Sequence, residues 1–390
     1  MKIIVYCQHV LGVGHFFRTL EIVKALDAHD VVLVTGGDFL PASLPSHVRQ
    51  VALPGLMMDE QFSGLYSVDP GQRFEDVKHA RQQILEQLFL QERPDLFLVE
   101  LYPFGRKAFR FELDPVLALI AGDATLDCRV VCSLRDILVE KKDGGAYETR
   151  VVDTLNQWFD ALLIHSDPQL IRLETTFSRI NAIRIPMVYT GFVTPLPDPA
   201  AVENVRSALG IGPDQFLVVV SAGGGNVGAP LLEAVLLAHG LLQDRDKVRM
   251  MVLTGPYMEK EAVDRLFSLA GEGVRIESFW TDFISLVAAA DLSISMAGYN
   301  TCMNLVAAGV PALVWPFDQN REQRMRAKTL VDFADITLLE GEDLVPKRLA
   351  GIIQERLVAG KTPISQGLDL GGARAVSHWI ETEGNHERDL

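Results

Sequence analysis

The chain has 390 residues, more than one hydrophobic core usually serves, so its length predicts two domains. Hydrophobic residues make up 48% of it and charged residues 22%, a balance typical of globular proteins rather than disordered or fibrous ones. The net charge of −15 is spread along the chain, which argues against nucleic acid as the main partner but allows a local basic pocket.

Neither a membrane span nor a secretion signal is expected. No apolar stretch approaches the ~20 residues that a spanning helix needs, and the apolar run at the N-terminus is too short for a signal peptide. The cysteines Cys7, Cys128, Cys132 and Cys302 lie in apolar contexts, and nothing nearby completes a metal-ligand set. We therefore expect reduced core thiols in a cytoplasmic protein, with any membrane contact peripheral and at the inner face.

Short apolar, β-branched runs alternate with longer amphipathic stretches, which predicts an α/β fold with parallel sheets buried on both faces. In the first half the predicted strands are Lys2–Tyr6, Val31–Thr35, Asp95–Val99, Arg129–Cys132 and Ala161–His165. In the second half they are Phe216–Ser221, Arg249–Leu253, Val274–Glu277, Leu292–Ser295 and Ala312–Trp315. The two halves thus have similar predicted architectures.

A proline-rich segment, Thr190–Pro199, separates the halves. Its three prolines stop a helix and leave sheet hydrogen bonds unmade, which predicts a linker near residue 195. A ligand is then expected in the cleft where both sheets present the carboxyl ends of their strands. The less regular connection Pro54–Gln72 is either an acceptor loop or an ordinary surface segment.

The first candidate loop, Gly12 to Arg18, follows the first strand and opens the first helix. Its glycines permit a tight turn, and N–H groups at the helix start can face an anion or a sugar. The third glycine and the acidic residue of a dinucleotide site are missing, which argues against a nicotinamide cofactor. His15 is either a general base for an acceptor hydroxyl, its pKa lowered by the helix dipole, or a helix-start histidine that bonds local backbone.

The second candidate loop, Gly223-Gly224-Gly225-Asn226, follows the strongest strand of the second half. A strand that feeds a glycine-rich loop and a helix is typical of a phosphate cradle, because backbone N–H groups converge without obstruction. No Lys-Ser/Thr pair follows, so the loop is not a P-loop. A glycine-rich turn without a ligand is the alternative.

Two further loops stand at strand ends. Gly298, Tyr299 and Thr301 suit a diphosphate at a helix start, and Asn304 lies one turn on, within reach of a ribose hydroxyl; the alternative is a capped helix. The polar side chains of the last loop suit sugar hydroxyls, or else form a solvated helix start. These side chains are Asp318, Gln319, Glu322 and Gln323.

These loops, together with Phe279-Trp280 and Ala307-Ala308-Gly309-Val310-Pro311, resemble the C-terminal domain of GT-B glycosyltransferases. Within that fold the pattern from about Val218 to Ala334 is similar to the family that contains the peptidoglycan UDP-N-acetylglucosamine transferase. The resemblance implies two Rossmann-like domains facing across a cleft. Residues 1–194 would form the acceptor side and 195–390 the donor side, with the C-terminal tail as a candidate to pack back on the first domain.

The resemblance also implies residue roles. Gly223, Gly224, Gly225, Gly298 and Thr301 would hold the donor diphosphate. Phe279 and Trp280 match the segment whose backbone contacts uracil, and Glu322 and Gln323 match the pair that contacts the donor sugar. Asn304 stands where the family has a ribose-binding glutamate, a departure that leaves the nucleotide open.

The mechanism implied by the resemblance is a single displacement with inversion, in which His15 deprotonates the acceptor hydroxyl. No Asp-X-Asp motif is evident at a strand end, so we expect neither metal nor cofactor, with helix dipoles and Arg18 or Arg321 absorbing the developing charge. Glu100 and Tyr102 follow a strong strand, and Gly14 lies in the first loop; we assign them to catalysis, to the acceptor or to phosphate binding. For Glu100 and Tyr102, local backbone bonding is the alternative.

Two other functions remain open at this point: a sugar-nucleotide hydrolase or 2-epimerase on the same fold, and a non-catalytic sugar-nucleotide-binding protein. The acceptor and the oligomeric state are not specified by the sequence. If the acceptor is lipid-linked, a basic and apolar patch is needed on the first domain. The one candidate cluster, which also fits an ordinary amphipathic helix face, is Arg106, Lys107, Phe109, Arg110 and Phe111.

Overall fold

The computed structural model describes residues 1–8, 14–37, 43–58, 64–138, 144–225, 227–317, 321–361 and 367–384. The chain divides into two compact units. Unit 1 contains Met1–Val193 and Asp369–Leu390, and unit 2 contains Thr194–Leu368. The sequence analysis gave the range 195–390 to the second domain and named the C-terminal tail as a candidate to pack back on the first; in the structure the tail belongs to unit 1 from Asp369 onwards.

Unit 1 is built on a seven-stranded parallel sheet with the order β3-β2-β1-β6-β7-β8-β9, beside a small antiparallel pair, β4 and β5. The strands are β1 (Lys2–Cys7), β2 (Asp30–Thr35), β3 (Val48–Ala52), β4 (Leu56–Met58), β5 (Leu65–Ser67), β6 (Leu96–Glu100), β7 (Arg129–Arg135), β8 (Ala161–His165) and β9 (Met187–Tyr189). The helices that connect them are α1 (Gly14–Lys24), α2 (Phe74–Glu92), α3 (Arg110–Gly122) and α4 (Gly144–Trp158).

Both faces of this sheet are covered. In β1, Ile4 and Tyr6 join one apolar cluster, while Ile3 and Val5 join the other. Because successive side chains of a strand point to opposite faces, a sheet buried on both sides needs nearly continuous apolar strands. This explains why the strands of unit 1 are evident in the sequence.

A buried ion pair fixes the carboxyl end of β1. Arg81 in α2 places Nε 2.7 Å from Oε2 and Nη2 2.6 Å from Oε1 of Glu112 in α3, and neither side chain is exposed. The hydroxyl of Tyr6 donates to the same carboxylate, and Arg81 also donates to Oε1 of Gln8 at 2.8 Å. Removing either charge would leave the other buried and uncompensated, so this bidentate pair holds β1 where it leads into the first candidate loop.

Unit 2 is built on a six-stranded parallel sheet with the order β12-β11-β10-β13-β14-β15. The strands are β10 (Phe216–Ser221), β11 (Val248–Leu253), β12 (Val274–Glu277), β13 (Leu292–Met296), β14 (Ala312–Trp315) and β15 (Ile336–Leu338). The helices are α5 (Pro199–Ala208), α6 (Ala229–His239), α7 (Lys260–Leu269), α8 (Phe283–Ala288), α9 (Tyr299–Ala308), α10 (Arg321–Leu330) and α11 (Pro346–Ala359). In chain order the strands run 3-2-1-4-5-6, the arrangement of Rossmann nucleotide-binding domains.

The last helix, α12 (Gly372–Thr382), packs on unit 1 beside α1. Its residues Val376, Trp379 and Ile380 join the apolar cluster on the α1 side of the sheet. The backbone that leads into α12 bonds the end of the first segment, because Phe192 N donates to Asp369 O at 2.7 Å. The α/β class and the ten predicted strands are confirmed, while β3, β9, β15 and the pair β4–β5 were not predicted.

Candidate functional sites

The order of strands in unit 1 reverses direction between β1 and β6. In open α/β sheets, ligands bind beyond the carboxyl ends of the strands at such a reversal. His15 is the second residue of α1, the helix after β1, and Glu100 is the last residue of β6. Of the two residues predicted to be catalytic, one therefore follows and the other ends a strand that flanks the reversal.

His15 and Glu100 are joined by a direct hydrogen bond. Nδ1 of His15 lies 2.5 Å from Oε1 of Glu100, whose side chain is 1% exposed. An ionised carboxylate only accepts, so His15 carries its proton on Nδ1 and leaves Nε2 free to accept one. Nη2 of Arg18 donates to the same carboxylate oxygen. It lies 3.3 Å from Nδ1 of His15 because both nitrogens donate to that one oxygen, not because they bond each other.

The charges of this cluster favour a neutral histidine beside an ionised carboxylate. Burial lowers the pKa of His15 to about 3; Glu100 opposes this shift, and Arg106 and Arg18 reinforce it. Burial alone would raise the pKa of Glu100, but the contacts with His15, Arg106 and Arg18 lower it well below its usual range. The His15 side chain keeps 22% of its surface exposed, so the pair has the form of a histidine base oriented by an acid.

A tight turn after β6 brings Arg106 back to Glu100. Nη2 of Arg106 lies 3.4 Å from Oε2 of Glu100. Leu101 and Arg106 both have left-handed backbones, with φ of 66° and 58°, conformations that non-glycine residues adopt at an energetic cost. Sequence analysis placed Arg106 in a surface cluster and missed this role; the signal it could have used is an arginine within a Pro-Gly turn directly after a strand-end glutamate.

The other predicted residues of unit 1 have different surroundings. Arg18 lies in the cluster, and Gly14 begins α1, but Gly12 and Val13 lie outside the described residues. Tyr102 is buried, its hydroxyl donates to Asp114 in α3, and its ring lies 6.4 Å from that of Phe159. The structure thus brings His15, Glu100 and Arg18 together, while the hydroxyl of Tyr102 points to α3.

A second buried histidine stands beside this cluster. His165, at the end of β8, has Nε2 2.7 Å from the hydroxyl of Ser133 and Nδ1 2.9 Å from that of Thr190. Burial lowers its pKa to about 3, with Arg18 acting in the same direction. Through these two contacts His165 links β7 and β8 with the residue after β9. It is fully buried and therefore not open to a ligand.

In unit 2 the strand order reverses between β10 and β13, and the predicted donor loops follow these two strands. Gly223 follows β10 with φ of 68°, and Gly298 precedes α9. A Cβ at Gly223 would stand 4.0 Å from Oγ1 of Thr301, and one at Gly298 would stand 3.8 Å from it. The two loops therefore converge on the Thr301 hydroxyl at the start of α9.

Glycine is required for this convergence at two positions. Gly225 has φ of 100°, and a Cβ there would meet the carbonyl oxygen of Thr254 at 2.6 Å. Gly255 has φ of 84°, and its Cβ would meet the carbonyl oxygen of Gly223 at 2.4 Å. The turns after β10 and β11 thus pack backbone against backbone, which only glycine permits at these two positions.

The residues along α9 are largely buried. Tyr299 begins the helix, and the guanidinium carbon of Arg326 lies 5.4 Å from the centre of its ring. Asn304 accepts a hydrogen bond from the hydroxyl of Thr194 at 2.8 Å. The predicted ribose contact is therefore already engaged, through Oδ1, by the residue that opens unit 2.

The remaining predicted donor residues lie after β12 and in α10. Phe279 is 41% exposed, and Arg275 lies 5.9 Å from the ring centre of Trp280. Gln323 accepts from the backbone N–H of Phe317 at 3.0 Å, and Glu322 is half-buried in the first turn of α10. Asn226, Asp318 and Gln319 lie outside the described residues.

Within the described part of the chain, no group of three His, Cys, Asp or Glu side chains is placed to hold a metal ion. The four cysteines are all buried, and none of them forms a disulfide. The described helices include none that is both long and apolar enough to span a bilayer.

Comparison with known proteins agrees with this architecture. Residues 218–366 match the glycosyltransferase family 28 C-terminal domain. Solved glycosyltransferases have a similar fold. One is a UDP-glucosyltransferase from Polygonum tinctorium (TM-score 0.57, 14% identity, covering 97% of this chain and 98% of that one). MurG of Acinetobacter baumannii is also similar (TM-score 0.51, 15% identity, covering 97% and 95%). The chain thus has the GT-B glycosyltransferase fold.

The particular resemblance is to the UDP-N-acetylglucosamine–N-acetylmuramyl-(pentapeptide) pyrophosphoryl-undecaprenol N-acetylglucosamine transferases. The protein of that name from Polaromonas naphthalenivorans is 32% identical over 188 residues, 47% of this chain and 49% of the relative. That from Burkholderia orbicola is 35% identical over 153 residues, 38% and 41%. The chain therefore spans less than half the length of these relatives, and the resemblance predicted from the sequence motifs is confirmed.

Proposed function

We propose that this protein is a glycosyltransferase that moves a sugar from a nucleoside-diphosphate sugar, with UDP as the expected nucleotide, to a hydroxyl acceptor. Unit 2 binds the donor, which the family 28 match over residues 218–366 supports. Unit 1 activates the acceptor. The observation that carries the proposal is the hydrogen bond from His15 to the buried, ionised Glu100, which leaves Nε2 of a neutral imidazole as a base.

The reaction is a single displacement with inversion. The acceptor hydroxyl gives its proton to His15 Nε2 as its oxygen bonds to the anomeric carbon, and the bond from that carbon to the diphosphate oxygen breaks. Glu100 holds the ring in the correct tautomer and stabilises the imidazolium that forms. The first turn of α9 and the hydroxyl of Thr301 supply dipoles and a hydrogen bond to the departing diphosphate.

We further propose that the reaction needs no metal ion. Backbone N–H groups and a helix dipole can stabilise a diphosphate without a cation. The test is the rate of sugar transfer with EDTA against the rate with Mg²⁺. Equal rates support the proposal, and activity that returns only with a divalent ion refutes it.

A thermal-shift screen of nucleoside diphosphates and their sugar conjugates comes first, because a ligand that binds only the folded state raises the midpoint according to its affinity. A rise in the unfolding midpoint with UDP, whether or not Mg²⁺ is present, supports the donor site. No shift with any nucleotide would refute the transferase and favour a non-catalytic role.

Hydrolysis is the second activity to measure, since the same base could activate water. UDP-sugars incubated with the protein alone should be stable if an acceptor is required. Rapid release of UDP and free sugar without an acceptor, lost in His15→Gln, would instead identify a sugar-nucleotide hydrolase. The acceptors named for the relatives are lipid-linked, and such an acceptor is one class to test here.

A further inference from the structure

Arg106 is buried next to the proposed base, and its charge is only loosely matched. Its side chain is 8% exposed, and among the described residues Glu100 is the acid that it contacts, at 3.4 Å. The other oxygen of that carboxylate is held at 2.5 Å by both His15 and Arg18. One carboxylate thus faces two guanidinium groups and a neutral imidazole, and Arg106 has the longest of these three contacts.

Arg106 also has an unused donor. Its Nε is buried and finds no hydrogen-bond acceptor in the part of the chain that the structure describes. Buried polar groups in folded proteins are nearly always hydrogen-bonded, and an exception calls for an explanation. A ligand that brings an acceptor to this guanidinium is such an explanation.

The turn that carries Arg106 is held from several sides. Phe104 packs its ring 5.3 Å from that of Phe177, and its carbonyl accepts from the hydroxyl of Tyr147 at 2.7 Å. Leu101 and Arg106, on either side of Phe104 in the chain, both have left-handed backbones. Such strained positions persist where the surrounding structure fixes them, often at binding sites. The guanidinium is therefore preorganised rather than a mobile surface charge.

We propose that Arg106 binds an anionic group of the acceptor, a carboxylate or a phosphate, that lies close to the hydroxyl deprotonated by His15. This inference rests on the proposed function and adds the acceptor's chemical class to it. A planar guanidinium pairs with either anion through two parallel hydrogen bonds, which would complete the unused Nε. An uncharged acceptor would leave that donor unpaired, so the site discriminates against neutral alcohols.

The test is histidine NMR on the full-length protein with isotopically labelled histidine. The His15 signal is assigned by its loss in His15→Gln. Inorganic phosphate and lactate, added separately, should each shift this signal to saturation and raise the pKa of His15, because a nearby anion stabilises the imidazolium. The tighter of the two ligands identifies whether the site prefers phosphate or carboxylate.

Arg106→Gln should weaken the more tightly bound anion at least tenfold, and Arg106→Lys, which keeps the charge without the paired donors, should weaken it less. The matched control is Arg110→Gln, which removes an exposed arginine of the same segment that pairs with Asp114 and should change nothing. An unchanged His15 signal in wild type with both anions, or an Arg106→Gln response equal to wild type, would overturn the inference.

UDP binding separates this inference from the proposed function. Wild type and Arg106→Gln should bind UDP equally, since the donor loops lie in unit 2. A wild type that binds UDP but whose His15 signal does not change with either anion refutes the anion site alone. A wild type whose His15 signal shifts with phosphate but that binds no nucleotide or sugar nucleotide refutes the transferase and still supports the anion site.

Discussion

Glu100→Gln removes one charge from the proposed catalytic cluster while keeping nearly the same shape. The glutamine amide can no longer compel His15 to carry its proton on Nδ1, and it stabilises the imidazolium less. General-base catalysis contributes about 10²–10⁴-fold in rate, or about 3–5 kcal/mol, and we expect kcat to fall within that range. KM for the donor should change little, because Glu100 belongs to unit 1 and the proposed donor loops belong to unit 2.

The same substitution should also destabilise unit 1. It leaves the buried guanidinium groups of Arg18 and Arg106 facing a neutral amide, and breaking a buried ion pair by removing one partner costs about 3–5 kcal/mol. With a shift of about 2–4 °C per kcal/mol for a unit of this size, the unfolding midpoint should drop by about 10 °C. Calorimetry measures the midpoint of each variant, and kcat is then compared at a temperature below the lowest midpoint.

His15→Gln is the matched control. It removes the base but leaves Glu100 with both arginines, so kcat should fall as far while the free energy of unfolding changes by less than about 1 kcal/mol for this partly exposed residue. Because the two residues act as one unit, the double variant should be no slower than the worse single variant. A Glu100→Gln enzyme within about threefold of wild type, or two effects that multiply, would refute the reasoning.

Further predictions concern pH and the donor site. Burial lowers the pKa of His15 below 6.5, so the acid limb of the kcat/KM profile should lie below pH 6.5; a limb at 6.5 or above would contradict the neutral base. His165 has a pKa of about 3 in the folded protein and of 6.5 in the unfolded chain, so the unfolded chain binds its proton first as the pH falls. The free energy of unfolding in urea should therefore fall as the pH drops below 6.5, and it should fall less steeply in His165→Asn. Thr301→Val should weaken UDP binding about tenfold by calorimetry, whereas Thr329→Val, whose hydroxyl bonds the Met325 carbonyl, should not; equal affinities would remove Thr301 from the site.

Features set by local sequence were predicted correctly. Ala161–His165 and Phe216–Ser221 have the same bounds in the sequence analysis and in the structure, because a strand buried on both faces is apolar throughout. His15 and Glu100 are 85 positions apart, and the sequence places each directly after or at the end of a predicted strand; the structure brings them into a hydrogen bond, while their catalytic roles stay predictions.

Features that depend on distant contacts were not predicted. β3 (Val48–Ala52) is an edge strand with exposed positions, so its apolar content is low. The amphipathic pattern of α12 does not state which sheet the helix covers; its packing on the first domain was suggested by the family resemblance alone. The contact of Arg106 with Glu100 depends on a turn that reverses the chain, whereas the sequence around Arg106 is that of an ordinary basic surface cluster. Asn304 was matched to a ribose contact by position, whereas its bond to Thr194 follows only from the packing of the linker on α9.

The two units place different chemistry at the same point of similar sheets. Beyond β1 and β6 the site consists of charged side chains, which are needed to move a proton and must be fixed by mutual contacts. Beyond β10 and β13 it consists of glycine turns and a helix start, where backbone dipoles suit a diphosphate and a Cβ at Gly225 would collide with neighbouring backbone. Substitution should therefore act through charge in unit 1 and through backbone conformation in unit 2. This difference explains why sequence motifs identify the candidate site of unit 2 readily, since glycine spacing is local, and that of unit 1 poorly, since its cluster joins separate strands.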